Sequence, residues 1–251
     1  MNETTALDIK NLGYSYHTPD GETPAIKNIT FSVLSGEFIV IVGPSGCGKS
    51  TLLSLISGLI DPESGSIALF GESRDENRVA YMLQRDHLFD WYDILDNCLI
   101  GLKIQKRLSA ESKKNVENLL VRYGLGDFLH CYPRQLSGGM RQRAALIRTL
   151  AVGPDILLLD EPFSALDYQT RLNVSGDILS IIKNEKRTAV FITHDISEAV
   201  SLADRIIVLS ERPAEIKAIY GIDFTALSPI ERRKSHEFGE YFNKIWKELE
   251  T

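Results

Sequence analysis

Cysteine is scarce in this chain: Cys47, Cys98 and Cys131 are the only three in 251 residues, and they are widely separated. None forms a CxxC pair, so a zinc site is not expected. Their odd number also argues against a disulfide framework. No apolar run approaches the roughly 18–20 residues that a membrane-spanning helix needs. Met1-Asn2-Glu3-Thr4-Thr5 lacks the basic and apolar regions of a signal peptide, so the chain is expected to be made and kept in the cytosol. Basic excess is missing too. A formal net charge of −6 gives no general electrostatic support for nucleic-acid binding. Internal repeats and low-complexity tracts are absent. What remains is a chain with 43% hydrophobic residues, enough to build one large α/β domain with a substantial core.

The most informative stretch is Gly43-Pro44-Ser45-Gly46-Cys47-Gly48-Lys49-Ser50-Thr51. It follows the apolar run Phe38–Val42 and precedes a helix-like run, Leu52–Ile56, that stops at Gly58. The spacing is GxxxxGK[ST], a phosphate-binding loop between a strand and a helix. Glycines let the backbone bend so that consecutive N–H groups face one anion. The helix N-terminus adds partial positive charge. Lys49 reaches the outer phosphates, and the Ser50 hydroxyl suits Mg²⁺. Cys47 reads as a small side chain that fits the loop. The motif alone fits kinases, GTPases, motors and transporters equally.

Two further motifs narrow the choice. Ile156-Leu157-Leu158-Leu159-Asp160-Glu161-Pro162 reads as a buried strand ending in two carboxylates. Ligands of open α/β sheets bind at the carboxyl ends of strands. Asp160 is placed to hold Mg²⁺, directly or through water, and Glu161 to polarise an attacking water. Leu136-Ser137-Gly138-Gly139-Met140-Arg141-Gln142-Arg143 opens a helical run through Leu150. Ser137, Gly138 and Gly139 at that helix start make a second anion cradle. One nucleotide does not obviously need two cradles. The surplus is explained if the second serves the nucleotide of another subunit.

Three zones emerge along the chain. Residues 6–86 carry short β-like runs: Leu7–Tyr16, Ile29–Val33, Phe38–Val42, Ser66–Phe70 and Val79–Leu83. Turns at Thr18–Glu22 and Asp61–Gly65 separate several of them. Residues 88–150 read as mainly helical, with Ser109–Tyr123 showing a helical period. Residues 155–220 alternate strand and helix, with Ile156–Leu159, Ala189–Thr193 and Ile206–Leu209 suited to parallel strands buried on both faces. Ser228–Glu250 reads as one amphipathic helix packed on the body through Phe238, Phe242, Ile245, Trp246 and Leu249, with a partner-binding helix as the alternative.

With these motifs in order, the chain resembles the ATP-binding-cassette ATPases over nearly its whole length. LSGGMRQR looks like that family's signature sequence. The resemblance implies a fold with a mainly parallel sheet, an N-terminal antiparallel β subdomain and a helical subdomain. Residues 1–87 and 151–220 would form the nucleotide-binding core with its β subdomain. Residues 88–150 would form the helical signature subdomain, and 221–251 a C-terminal helical extension of the single domain. Tyr16 matches the aromatic that stacks on adenine. Gln84 resembles the glutamine that contacts Mg²⁺ and water and links to the membrane partner. Ser164-Ala165-Leu166-Asp167 resembles the loop that crosses a dimer interface. His194 matches the histidine that contacts the terminal phosphate. The other histidines, His17, His87, His130 and His236, match no catalytic position and are expected to be surface or packing residues.

The family implies ATP and Mg²⁺ as ligands and a pair of cassettes, from one chain or two, closing on two ATP molecules. Each ATP would lie between one phosphate loop and the Ser137-Gly138-Gly139 of the facing copy. A separate multi-span permease is implied, with the cassette peripheral on the cytoplasmic face of the membrane. Closer resemblance is to the nitrate/sulfonate/taurine type of importer ATPase, in Gln84–Trp91, Asp96–Leu102, Met140–Arg143, Leu209–Pro213 and Ile245-Trp246. An extracytoplasmic solute-binding protein would then take part indirectly. The chain departs from that type at Asp90, where a proline is usual, and at Arg212-Pro213-Ala214-Glu215, where an Arg-Pro-Gly-Arg turn is usual. Segment Arg85–Leu102 is the expected coupling surface, with Leu88, Phe89, Trp91 and Tyr92 clustered between charges. The alternative is that these aromatics pack between the subdomains. An exporter ATPase, a soluble cassette ATPase of DNA repair or translation, and a non-hydrolysing scaffold are the rival functions.

Overall fold

The computed structural model describes residues 4–19, 21–73, 78–224 and 227–250, with Glu72 and Ser73 described by backbone alone. Met1, Asn2 and Glu3 of the amino-terminal reading, and Asp20 of the predicted turn, lie outside the described residues. In chain order the elements are β1 (Thr5–Thr18), β2 (Gly21–Leu34), β3 (Phe38–Val42), α1 (Lys49–Ser57), β4 (Ser64–Leu69), β5 (Glu72–Ser73), β6 (Val79–Met82), α2 (Ile94–Ile104), α3 (Ala110–Arg122) and α4 (Gly138–Ala151). There follow β7 (Ile156–Asp160), α5 (Tyr168–Asn184), β8 (Thr188–Ile192), α6 (Ile196–Leu202), β9 (Arg205–Leu209), β10 (Ile216–Gly221), α7 (Pro229–Arg232) and α8 (His236–Glu250).

Two sheets organise the chain. One has four strands in the order β2-β1-β4-β5, all antiparallel. The other has six, in the order β10-β9-β3-β8-β7-β6, parallel except for β10 at its edge. Strands β3, β7 and β8 are buried at every position, as expected of parallel strands covered on both faces. Strand periodicity sorts their side chains. Phe38, Val40, Leu157, Leu159 and Phe191 face a core shared with α2, α4 and α5. Ile39, Ile41, Leu158, Val190 and Ile192 face a second core shared with α1 and the antiparallel sheet. The phosphate-loop helix thus sits between the two sheets, with Leu52, Leu53, Leu55 and Ile56 as its anchors.

The structure corrects the sequence reading at its edges. Strand β2 begins at Gly21, well before the predicted Ile29, and Pro24 pairs with Ser15 inside it. Proline is tolerated there because β2 is an edge strand, whose outward positions need no ladder donor. Strand β10 had no counterpart in the reading; it is a half-buried edge strand whose apolar residues alternate with Lys217 and Ile219 facing out.

The carboxyl terminus is two helices rather than one. Ser228 opens α7 with a capping box to Glu231, and the helix ends at Arg232. Ser235 then starts a new helix, its hydroxyl accepting from the Phe238 N–H at 3.3 Å. Ile245 is buried and Phe238, Phe242 and Leu249 pack against the core, but Trp246 stays about half exposed, stacked on Phe242.

Candidate nucleotide site

The loop between β3 and α1 is built by glycines with two distinct duties. Gly48 sits at φ 127°, and a Cβ there would meet the Ala25 carbonyl oxygen at 2.8 Å, so no larger residue fits. Gly46, at φ 77°, supplies the turn itself. Cys47 points inward and is buried. Its thiol is pushed up by burial, against the opposing charges of Lys49 and Arg212, so it stays protonated and serves as packing. Lys49 is only 6% exposed. Its ammonium donates to the carbonyls of Gly43 and Pro44, at 2.9 and 2.8 Å, and among the described residues it pairs with no carboxylate. A buried cation held by carbonyl dipoles alone, beside the first turn of a helix, is suited to an anion.

A cavity of about 220 Å³ opens on this loop, lined by Ser45, Gly46, Gly48, Lys49, Ser50 and Thr51, and also by Glu161 and Arg212. Its acidic lining residue, Glu161, comes directly after β7. Asp160 ends that strand, is 8% exposed, and accepts a hydrogen bond from the Tyr81 hydroxyl at 2.9 Å. Burial first, then the Asp160 charge, push the Tyr81 phenol well above its ordinary range, so it remains a donor to Asp160. Glu161 follows in the left-handed region, at φ 42°, with its N–H bonded to the Ile192 carbonyl at 3.0 Å. A non-glycine residue held there is strained, and the strain aims the carboxylate at the cavity. Glu161 Oε2 lies 3.0 Å from His194 Nδ1. His194 leaves β8 between two locked neighbours: the Thr193 hydroxyl donates to Glu198 at 2.6 Å and accepts from the Asp195 N–H at 3.0 Å.

Tyr16 reaches the site from β1. Its hydroxyl lies 3.0 Å from the Thr51 hydroxyl, and its ring is 38% exposed with Tyr14 edge-on to it. The ring is therefore partly exposed beside the cavity, next to Thr51 of its lining. Gln84 lies just past β6, exposed, and does not line the cavity. Nor do Ser137, Gly138 and Gly139. They open α4 at a different surface, where Gly138 borders a cleft of about 470 Å³ with Arg85, Asp86, His87 and Arg141. Ser137 caps its own helix, its hydroxyl accepting from the Met140 N–H at 3.3 Å. One chain thus joins the phosphate loop to Glu161, His194, Asp160 and Tyr16, and leaves Ser137, Gly138 and Gly139 outside that cavity. Two members escaped the sequence reading: Tyr81, whose hydroxyl holds Asp160, and Arg212, to which no place in the site was given.

The donor set fits a hard divalent cation. Ser50 and Asp160 offer oxygen ligands, and no cluster of three or more His, Cys, Asp or Glu side chains exists among the described residues. Magnesium is characteristically held by one or two protein oxygens plus substrate phosphates rather than by an all-protein cage.

Comparison with known proteins gives the family. The family model described as ABC transporter matches residues 26–164. A Bacillus subtilis ABC transporter ATP-binding protein, YtlC, is 45% identical over 98% of this chain and 96% of its own length. The taurine import ATP-binding protein TauB of Pelagibacter ubique is 39% identical over 87% of this chain and 83% of its own. That of Roseobacter denitrificans is 37% identical over 96% of this chain and 94% of its own. Among solved structures, a dimeric ATP-binding cassette in a post-hydrolysis state with ADP and Pi superposes with a TM-score of 0.72 at 29% identity, covering 87% of this chain and all of that one. The family match runs from β2 past the carboxylate pair in one uninterrupted stretch, and the relatives extend it to both ends, so the chain belongs to the ABC transporter family as an ATP-binding, ATP-hydrolysing cassette.

Proposed function

We propose that this cassette, paired with a second copy, powers import of a small organic or inorganic anion such as nitrate, a sulfonate or taurine through a separate permease. The observation that carries the reading is the near full-length similarity to two cassettes named for taurine import. No helix among the described residues is long and apolar enough to cross a membrane, so the membrane path would belong to another chain. The cassette would sit peripherally on the cytoplasmic face, and a solute-binding protein would act on the far side.

The residues divide the work as follows. The loop N–H groups from Gly43 to Thr51 and Lys49 hold the phosphates, and the Tyr16 ring stacks on adenine. Ser50 and Asp160 would hold Mg²⁺, which would neutralise charge on the phosphoryl group, and Gln84, outside the cavity in the single chain, would join them only on closure. Glu161 orients a water and takes its proton, and His194 holds that carboxylate and faces the terminal phosphate. Ser137, Gly138 and Gly139 close over the nucleotide of the facing copy, which accounts for their position away from their own cavity.

The coupling surface is the turn Phe89–Tyr92. Asn97, fully buried, accepts from the Phe89 N–H at 2.7 Å and donates to the carbonyls of Phe89, Tyr92 and Asp93. This staple presents Trp91, 70% exposed, to solvent. An exposed aromatic on a rigid base suits a protein interface. Affinity purification from detergent-solubilised membranes, with mass spectrometry, tests the reading. A multi-span permease should co-purify, and Trp91→Ala should lower its recovery several-fold with ATP binding retained. Soluble partners alone, under conditions that preserve a known permease complex, would overturn it.

A further inference from the structure

The turn between β9 and β10 is clamped from three sides. The Ala214 N–H donates to the Ala25 carbonyl at 2.9 Å, and the Lys27 N–H donates to the Ala214 carbonyl at 3.0 Å, stitching the turn to β2. The Ser210 hydroxyl accepts from the Glu215 N–H at 2.9 Å and donates to the Glu211 carbonyl at 2.8 Å. On the remaining side, a Cβ on Gly43 would come within 3.2 Å of the Leu209 Cβ, so β9 and the phosphate loop touch.

From this turn Arg212 extends over the cavity and forms part of its wall. Its guanidinium carbon lies 5.9 Å from the centre of the Tyr16 ring. Its charge is close enough to the loop to act on the Cys47 thiol. Among the described residues no carboxylate lies within ion-pair distance of it, although Lys27, on the neighbouring strand, is paired with Glu215 of the same turn. The cavity therefore holds two cations, Lys49 and Arg212, neither with a carboxylate partner. The carboxylate of the same lining, Glu161, is engaged by His194 at 3.0 Å, which leaves the two cations beside a cradle of N–H groups to an incoming anion.

We propose that Arg212 is a phosphate-recognising residue of the nucleotide site, delivered by the β9–β10 turn to the cavity wall beside Tyr16. Its planar fork suits phosphate oxygens. The anion is the phosphate chain of a nucleoside di- or triphosphate, since Arg212 stands between the phosphate loop and the partly exposed Tyr16 ring beside it. The inference rests on the nucleotide site proposed above and adds a second cation to it, from a part of the chain more than 160 positions after the loop.

The test is nucleotide binding by titration calorimetry, with steady-state hydrolysis, on the full chain. Arg212→Met should weaken ATP binding and raise KM by roughly tenfold or more, the scale of one lost charge-assisted hydrogen bond. Its kcat should change less than its KM. Inorganic tripolyphosphate should weaken by a similar factor, the loss should shrink as salt rises, and Arg212→Lys should recover part of it. Glu211→Gln, on the same turn but not lining the cavity, should bind like wild type. Wild-type affinity in Arg212→Met, or weakened ATP with unchanged tripolyphosphate, would overturn the assignment. Lys49→Ala is measured alongside. If it also binds ATP normally, the nucleotide site itself is wrong, a different failure from that of Arg212 alone.

Discussion

Two helices of this chain begin with glycines and an anion-binding signature, and they use those glycines differently. At the head of α1, Gly46 and Gly48 take left-handed backbone that other residues resist. At the head of α4, neither Gly138 nor Gly139 has a positive φ. There the need is closeness: a Cβ on Gly138 would meet Leu166 at 3.0 Å, and one on Gly139 would meet Val174 at 2.6 Å. The first site is also inward and furnished, with Lys49 buried and carboxylates from β7 opposite. The second is outward, with Ser137 exposed and occupied in capping its own helix. One helix end is furnished within a single chain, and the other is packed tightly behind while Ser137 and Gly138 stay exposed.

That contrast makes measurable demands. The largest effect should come from Glu161→Gln, which removes the proposed base and keeps the shape. Phosphate release should fall by about 10²- to 10⁴-fold, the usual worth of a general base, while ATP still binds. Size-exclusion chromatography with ATP and Mg²⁺ should show paired cassettes accumulating. Undiminished turnover would remove Glu161 from the chemistry.

Gly139→Val probes the other helix end. The added side chain has no room beside Val174, and overpacking of this kind costs about 1–3 kcal/mol, which a lowered melting temperature would register. Hydrolysis should fail because the α4 end can no longer close on a partner, whereas ATP affinity, measured by calorimetry, should stay near wild type. If affinity falls together with hydrolysis, the two helix ends are not separable and the comparison breaks.

The smallest effect lies beside His194. Burial pushes the Glu198 carboxyl up to about 7; Asp195 adds to the rise, while the Thr193 hydrogen bond, Arg171 and Arg233 oppose it. The folded protein holds this proton more tightly than the unfolded chain does. Glu198 therefore contributes its full share of stability below its unfolded value, near 4.5, and loses it as pH rises through about 7. Glu198→Gln does not titrate. Relative to wild type, its melting temperature should climb by a few degrees between about pH 5 and about pH 8. A difference that does not vary with pH would mean the carboxyl titrates normally.

Legibility in the sequence followed the range of the interactions. The phosphate loop was readable because its geometry is local: strand, glycines, lysine and helix lie within one short stretch. The strand ending in Asp160 and Glu161 was readable because burial on both faces leaves an unbroken apolar run. Tyr81 and Asp160 are 79 positions apart, and only the parallel pairing of β6 with β7 brings them together. Arg212 depends likewise on β9 lying beside β3. Strand β2 ran past Pro24 because edge status is a property of the sheet, not of the segment. At the carboxyl end, apolar spacing described α8 well, but Ser235 restarts the helix, and only the cap reveals the break.

Arg148, near the far end of α4, donates to the carbonyls of Asp86 and His87 at 2.7 and 2.6 Å, and Arg141 lies 3.0 Å from the Asp86 carboxylate. Ten residues of helix, about 15 Å, separate Gly138 from Arg148. An α-helix of that length is stiff along its axis. Two arginines of α4 fasten the helix to the segment just before the aromatic turn, Arg148 to its backbone carbonyls and Arg141 to the Asp86 carboxylate. A helix pinned to one segment at two points along its length cannot pivot about either point without breaking the other.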